Sequence, residues 1–246
     1  HAIVIGIGGV GSWAAEALAR GGIGRLTLVD LDHVAESNFN RQLHALDSTK
    51  GQAKVEAMAA RIAQINPQCQ VQCVDDFLTP VNVGDIISTD PATLVLDAMD
   101  QVEAKVALIA WCKRHKQIVV TCGAAGGKLR GEFVQVADLS ETTQDPLLAK
   151  VRTSLRRDHR FPAGQLKSSS VAKSASKKTR FGIQAVYSTE PVKRPEPEGD
   201  SCAPFDPTAG APLACAGYGS LVTVTAVFGM VAAGVLIDAA AQRNKR

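Results

Sequence analysis

The sequence predicts an α/β fold with a doubly wound, mostly parallel sheet, followed by a C-terminal extension that carries a long basic insert. Three observations support this prediction. Strand and helix patterns alternate strictly through the first half, a glycine-rich turn joins the first strand to the first helix, and 46% of the residues are hydrophobic while 21% are charged. Strict alternation places crossover helices on the faces of a parallel sheet, and the composition excludes global disorder.

The elements of the first half follow from short apolar runs and helical spacing. Strands are predicted at 2–7, 26–30, 71–74, 93–97 and 118–121. Helices are predicted between them at 12–19, 51–65, 81–87 and 102–115. Together these elements make up a first domain over residues 1–140.

The second half changes character. A strand is predicted at 132–136, a helix at 145–157, a short strand at 182–188 and an apolar helix near 218–241. Between them the chain is rich in Ser, Lys, Pro and Gly, and inserts of this length are typically functional or disordered. We therefore predict a C-terminal extension over 141–246, packed on the same domain, with a basic loop at 150–215 and a buried apolar helix.

Residues 221–237 form a seventeen-residue run without a charge. A membrane-spanning helix needs about 20 apolar residues, so the run is short for a span and fits a helix buried in a core or a dimer interface. No stable membrane insertion is expected. The six cysteines include no CxxC pair, which favours reduced thiols in the cytoplasm over a disulfide framework.

The turn after the first strand contains Gly6, Gly8 and Gly11 in GxGxxG spacing. Such glycines allow the backbone to approach phosphate oxygens, and the following helix N-terminus offers free N–H groups. Asp30 ends the next strand, where an acid accepts hydrogen bonds from ribose hydroxyls. This pattern alone indicates only a nucleotide, and a NAD-linked oxidoreductase remains open at this point.

Polar residues after Asp30 favour a different chemistry. Asp32, Asn38, Arg41 and Lys54 follow within one strand–helix connection. Hydride transfer needs no such cluster, whereas cleavage of ATP between its α and β phosphates needs a bidentate guanidinium and an ammonium on the phosphates. Asp100, after the fourth strand pattern, is placed to hold Mg²⁺ on those phosphates.

Five motifs in order resemble the Rossmann-like adenylating domain of ubiquitin-activating-type enzymes, the ThiF/MoeB/HesA superfamily. They are GIGGVGS at 6–12, DLD at 30–32, SNFNRQ at 37–42, GQAKVE at 51–56 and the acid at Asp100. Within that superfamily, further stretches resemble the branch of tRNA threonylcarbamoyladenosine dehydratases. These are GGVGSWAAEALA at 8–19, NRQLHAL at 40–46, QINP at 64–67, DDFLTP at 75–80, QDPLLAK at 144–150 and TVTAVFG at 223–229.

The resemblance implies ATP-dependent dehydration of threonylcarbamoyladenosine beside the anticodon, by adenylation of its carboxylate and release of pyrophosphate and then AMP. It implies Arg41, Lys54 and Asp100 as catalytic residues, with Asp100 also on the metal. The residues implied for the nucleotide are Gly8, Gly9, Gly11, Asp30, Asp32, Asn38, Arg41, Gln42, Lys54 and Asp100. The implied cofactors are ATP and Mg²⁺.

Simpler structural roles remain open for several of these residues. Asn38 can cap a short helix, Lys54 can lie on a solvated helix face, and Asp100 can be the N-cap of the helix at 102. Cys202 and Cys215 lie in the insert as candidate reactive thiols, although cyclisation needs no thiol carrier. The zinc-bearing superfamily members carry two CxxC pairs, and this sequence has none, so no zinc site is predicted.

The basic segment 150–180 holds ten Lys and Arg residues against Asp158 alone, a net charge of +9 in a chain of net charge +3. This asymmetry is typical of polyanion binding and predicts contact with tRNA carrying threonylcarbamoyladenosine. The resemblance further implies a homodimer and leaves a sulfur-transfer protein open as a partner. The alternative function is an adenylating activator of a ubiquitin-like or sulfur-carrier protein C-terminus.

Overall fold

The computed structural model describes residues 1–163, 180–192 and 219–243. Its strands are β1 (Ala2–Ile5), β2 (Arg25–Val29), β3 (Gln70–Val74), β4 (Leu94–Asp97), β5 (Ile118–Cys122), β6 (Val134–Asp138) and β7 (Gln184–Ser188). Its α-helices are α1 (Gly11–Arg20), α2 (Lys54–Ile65), α3 (Val83–Ile86), α4 (Val102–Arg114), α5 (Pro146–His159) and α6 (Val222–Arg243).

In these residues the strands form one sheet in the order β3-β2-β1-β4-β5-β7-β6. All neighbouring strands are parallel except β6, which runs antiparallel to β7. β1 lies between β2 and β4, so the strand order reverses beside β1. In a doubly wound sheet this switch point opens a crevice at the carboxyl ends of the strands. The predicted fold class is confirmed.

Alternation along the strands divides the core into two layers. Ala2 and Val4 of β1 pack into the layer beneath α1, α2 and α6, whereas Ile3 and Ile5 pack into the layer beneath α4 and α5. Both faces of β1 are fully apolar because helices cover both sides, as the continuous apolar run predicts. The loops that line the crevice therefore follow the carboxyl ends of strands that are buried on both faces.

α6 buries one face against α1 and the sheet. Its buried residues repeat at helical spacing and are Val224, Thr225, Phe228, Gly229, Ala232, Ala233 and Leu236. A Cβ at Gly229 would lie 2.4 Å from the carbonyl oxygen of Val10, so glycine permits the close approach of the two helices. By length (22 residues) and mean hydropathy (2.0) this helix could cross a membrane, and 39% of its most apolar stretch is buried against the rest of the described chain.

Several element bounds differ from the sequence-based expectation, among them the start of the helix predicted at 51–65, which begins at Lys54. α5 continues to His159, so the first part of the predicted basic loop is helical, and the helix ends at Arg160 in the left-handed conformation (φ 56°). The apolar helix was predicted to be buried, but α6 is exposed along part of its surface, at Val222 and Met230, as is Leu221 just before it. The strand predicted at 132–136 is β6, which a 3₁₀ turn at Gly131–Phe133 precedes.

Candidate active site

A cavity of about 340 Å³ opens at the carboxyl ends of β1, β2 and β4. It gathers sequence-predicted residues from all five motifs, namely Gly8, Gly9, Asp30, Asp32, Asn38, Arg41, Gln42, Lys54 and Asp100. Of the predicted site residues, Gly11 alone lies outside the lining. The motifs are distant along the chain, and the switch point of the sheet brings them together.

The glycine turn is shaped by tight backbone contacts. Gly6 has a φ of +85°, which favours glycine, and its N–H donates to the carbonyl of Val29. A Cβ at Gly11 would lie 1.7 Å from the carbonyl oxygen of Gly6, so Gly11 keeps α1 packed against the turn. The Ser12 hydroxyl donates to the Gly8 carbonyl at 2.7 Å and fixes the loop that carries the exposed amides.

Asp30 and Asp32 follow the carboxyl end of β2 and line the cavity. The Asp30 carboxylate accepts the backbone N–H of Ile7 at 2.6 Å and that of Asp32 at 2.9 Å, so it ties the glycine turn to β2. Burial raises the pKa of the Asp30 carboxyl, although Lys54 and these two donors oppose the shift. Its remaining lone pairs are available to a ligand.

Lys54 is the first residue of α2, and its side chain is only 6% exposed. Its ammonium lies 2.7 Å from the Asp32 carboxylate, which is itself largely exposed. The backbone N–H of Lys54 also donates to the Asp32 carbonyl at 3.0 Å, so two contacts hold the residue against the loop that follows β2. The alternative of a solvated helix face is wrong, because the side chain points into the cavity wall.

Arg41 lies across the glycine turn. Its guanidinium donates to the Ser37 carbonyl at 2.9 Å and to the Asn40 side-chain oxygen at 2.8 Å, and no carboxylate pairs with it in the described part of the chain. A Cβ at Gly9 would lie 3.2 Å from the Arg41 Cγ, so glycine makes room for the arginine stem. The positive charge is therefore held in place without being neutralised.

Asn38 and Gln42, which flank Arg41 along the chain, also line the cavity. The Asn38 side-chain oxygen accepts the backbone N–H of Ala35 at 3.0 Å, so the predicted capping role is real and coexists with a position in the lining. The buried Gln42 side-chain oxygen has no hydrogen-bond partner among the described residues. An unpaired buried acceptor is costly, which makes Gln42 a candidate for a ligand contact.

Asp100 lies beyond β4 on the opposite wall. The N-cap of α4 is Gln101, without a side-chain hydrogen bond, so the alternative role of Asp100 as N-cap is wrong. No ion pair holds Asp100 within the described ranges. Its oxygens are the hard donors that Mg²⁺ prefers. Those ranges contain no group of three or more Asp, Glu, His or Cys residues arranged to hold a metal ion.

Sequence reasoning missed the other half of the cavity. Its walls are Gly123, Ala124, Ala125, Gly126, Pro146, Leu147, Val192, Ser220 and Thr225, together with Asp76, Phe77 and Leu78. Asp145 shapes this half, because its carboxylate caps α5 at the Leu148 N–H and also accepts the Ala124 N–H, both at 2.9 Å. Several of these residues lie in the stretches 75–80, 144–150 and 223–229, which are part of the family resemblance. Those stretches could therefore have indicated this half of the cavity from the sequence.

Two cysteines and one histidine are buried without a visible chemical role. Desolvation raises the pKa of the Cys112 and Cys122 thiols to about 12, which makes both poor nucleophiles at neutral pH. His44 is also buried, and desolvation together with the nearby charge of Lys54 lowers its pKa to about 4. Cys202 and Cys215 lie outside the described residues.

A doubly wound sheet with a glycine turn, an unpaired arginine and a buried lysine around its switch point defines a nucleotide-binding α/β protein. The chain belongs to the ThiF family, which matches residues 1–246. The resemblance drawn from the motifs is thereby confirmed.

Comparison with known proteins indicates which branch of the family this chain is similar to. The chain is 49% identical over 235 residues to the tRNA threonylcarbamoyladenosine dehydratase of Escherichia coli, covering 94% of this chain and 82% of that protein. It is 46% identical over 240 residues to that of Haemophilus influenzae, covering 97% and 84%. The crystal structure of the E. coli enzyme in complex with ATP matches with a TM-score of 0.80 and 42% identity over 100% of this chain and 87% of that one. Its AMP complex matches with a TM-score of 0.81.

Proposed function

We propose that this chain is an ATP-dependent dehydratase that cyclises threonylcarbamoyladenosine beside the anticodon of tRNA. The observation that carries the proposal is the meeting of Arg41, Lys54 and Asp100 around one glycine-lined cavity at the switch point of the sheet. The names of the two bacterial relatives support the substrate. The ATP and AMP complexes of the E. coli enzyme support the nucleotide.

ATP fits the donor set of the cavity. The backbone amides of Gly8 and Gly9 face the phosphates, the Asp30 carboxylate accepts ribose hydroxyls, and Gly11 acts indirectly by holding α1 against the turn. Asn38, Arg41 and Gln42 contact the outer phosphates, and Lys54 contacts the α-phosphate. Asp32 orients the Lys54 ammonium, and Asp100 would hold a magnesium ion on the phosphates. Magnesium would neutralise phosphate charge in the transition state.

The first chemical step makes the carboxylate reactive. A threonyl carboxylate oxygen forms a bond to the α-phosphorus, the bond to the bridging oxygen breaks, and pyrophosphate leaves. Negative charge grows on the α-phosphate oxygens as this happens. The Lys54 ammonium is placed to stabilise it, since it is nearly buried and already aligned by Asp32.

The second step closes the ring. The carbamoyl group of the same side chain forms a bond to the activated acyl carbon, the carbon–oxygen bond to AMP breaks, and a proton is released. The nucleophile and the electrophile belong to one side chain, so closure gains from proximity. The tRNA loses one water overall, while ATP becomes AMP and pyrophosphate.

We also propose a homodimer in the cytoplasm, in which the exposed apolar part of α6 contacts the second copy. A sulfur-transfer protein remains a candidate partner without a defined surface. The rival function, activation of a ubiquitin-like or sulfur-carrier protein, shares the adenylation step. It differs in its acceptor, so tRNA-dependent release of AMP separates the two.

The decisive experiment is mass analysis of nucleosides from tRNA that has been incubated with the protein and ATP. We expect the threonylcarbamoyladenosine peak to move to a mass lower by one water, and only when ATP is present. The matched control is Arg41→Ala protein with the same tRNA. An unchanged nucleoside, with active protein shown by pyrophosphate exchange, would instead favour the protein-activating function.

A further inference from the structure

We propose that the groove between α4 and α5 binds the RNA strand that adjoins the modified nucleoside. This inference rests on the proposed function and adds the surface on which the polynucleotide lies. The observations that carry it are the continuity of this groove with the active-site cavity and two cations along its walls that pair with no described carboxylate.

The groove is a second concavity of about 1430 Å³. It shares Asp100 and Gln101 with the active-site cavity, so the two open into each other at the N-terminus of α4. From there it follows α4 as far as Arg114, a length of about 20 Å at the rise of an α-helix. Small side chains such as Ala107, Ala110 and Ala149 form its floor and leave room for a chain to lie in it.

α5 lines both concavities, the active-site cavity with its first turn and the groove with the turns that follow. Pro146 and Leu147, in its first turn, line the active-site cavity, and the segment from Ala149 to His159 lines the groove. A ligand that leaves the cavity past Asp100 therefore meets α4 on one side and α5 on the other. At this end the exposed residues Pro80 and Val81 also line the groove.

The charges along the groove suit a phosphodiester chain. Lys150 and Arg114 are exposed, and neither forms an ion pair with a described residue. Arg157 is held by Asp158 through two contacts of 2.7 and 2.8 Å, so it contributes less free charge. Glu103 and Asp100 are acidic but lie at the end where the nucleotide and its cation would bind. Free cations spaced along a groove are typical of surfaces that follow a nucleic-acid backbone.

The chemistry of the substrate makes an exit groove necessary. The reacting carboxylate belongs to one nucleoside inside a polynucleotide, so its flanking phosphates must leave the cavity along the protein surface. The modified base lies in a loop, where RNA is single-stranded and can be splayed out. A groove that begins at the catalytic Asp100 and carries two unpaired cations meets this requirement.

The test uses Arg114→Ser, Lys150→Ser and the double variant in the full chain. The readout is KM and kcat for cyclisation of a modified anticodon stem-loop, measured at several salt concentrations. Loss of each cation should reduce the slope of log affinity against log salt by about 0.7, the value for one phosphate contact on a single strand. We expect a KM for RNA at least fivefold higher in the double variant, with kcat and KM for ATP unchanged.

The matched control is Arg25→Ser, which removes an exposed arginine at the opposite end of the sheet. It should leave KM and the salt slope as in the wild type. If both groove variants resemble this control while the wild type cyclises the stem-loop, the groove proposal is wrong and the proposed function stands. If the wild type does not cyclise it, the proposed function fails. Fluorescence-anisotropy binding of the same RNA then decides on the groove separately, because unchanged salt slopes there would overturn it.

Discussion

The Lys105 ammonium lies 3.0 Å from the Asp97 carboxylate, and both side chains are fully buried beneath the active-site cavity. Lys105 also donates to the Cys122 carbonyl at 2.7 Å, and the Thr121 hydroxyl donates to Asp97 at 2.6 Å. The network joins the ends of β4 and β5 to α4. The residues that follow these strands, at 98–100 and 123–126, line the cavity. A buried ion pair is weak evidence for stability. We infer instead that this pair positions the two loops that follow β4 and β5.

Lys105→Met tests the cost of breaking this pair. The substitution leaves the Asp97 carboxylate buried without its cation, which should lower the free energy of unfolding by about 3–5 kcal/mol. Urea denaturation followed by circular dichroism measures the loss. The double variant Lys105→Met with Asp97→Asn removes the orphaned charge and should recover part of the stability. A double variant as unstable as the sum of both single variants would show that the two residues do not interact.

Arg41→Ala and Lys54→Ala test the nucleotide side of the cavity. Each should lower tRNA-dependent AMP formation by more than tenfold, a rise of at least about 1.4 kcal/mol in the barrier. Arg25→Ala is the control, since it removes the same kind of charge at the opposite end of the sheet. Normal AMP formation by either cavity variant would contradict the assignment of that residue.

How much of this site the sequence could predict depends on how local each signal is. Gly6, Gly8 and Asp30 follow directly from strand–turn–helix spacing, and the structure places them as expected. The position of β7 between β5 and β6 was not predictable, because residues 184–186 pair with residues 120–122 across a long stretch of chain. Thr225 reaches the cavity only because α6 packs on α1, a contact that periodicity does not specify.

Sequence reasoning also did not identify which charged side chains are buried. Lys105 sits in a helical pattern where a lysine is ordinarily assigned to solvent, and Lys128 lies in a connection. Lys128 donates to the carbonyls of Gln144, Ser188 and Glu190, and desolvation lowers its pKa. These partners come from distant segments, so the burial of both lysines emerges only from the assembled fold. Composition and spacing contain no sign of it.

The basic segment gives a prediction that is independent of the α4–α5 groove. Replacing Lys173, Lys177, Lys178 and Arg180 with Ser removes four positive charges, of which Arg180 contacts Glu141 at 3.4 Å and the others lie outside the described residues. Affinity for tRNA should fall and its salt dependence should flatten, because fewer counterions are released. ATP binding, measured by calorimetry, should be unchanged. Equal tRNA affinity and salt slope would remove this segment from the RNA surface.

His44 predicts how stability depends on pH. Its pKa is lowered to about 4 in the folded chain from the ordinary 6.5, and neither ring nitrogen has a hydrogen-bond partner in the described ranges. The unfolded state therefore binds more protons between these two values, so stability falls as pH decreases from 6.5 towards 4. The full effect is on the order of 3 kcal/mol. His44→Phe should flatten the unfolding free energy over this range, measured by urea titration at each pH. Parallel curves for both proteins would contradict it.

The exposed apolar surface of α6 predicts how the copies associate. Leu221 (43% exposed), just before the helix, and Val222 (37%) and Met230 (44%) within it leave hydrocarbon in contact with water. Exposed apolar residues grouped on one element are typical of an interface. Met230→Glu would place a charge in the proposed dimer contact and should weaken dimerisation by more than tenfold, or about 1.4 kcal/mol. Sedimentation velocity over a range of concentrations measures the shift in the monomer–dimer equilibrium.

Ala241→Glu, near the exposed end of the same helix, is the control and should leave the dimer intact. If the wild type is a monomer at every concentration, or if both variants dissociate equally, Met230 does not lie in the dimer contact.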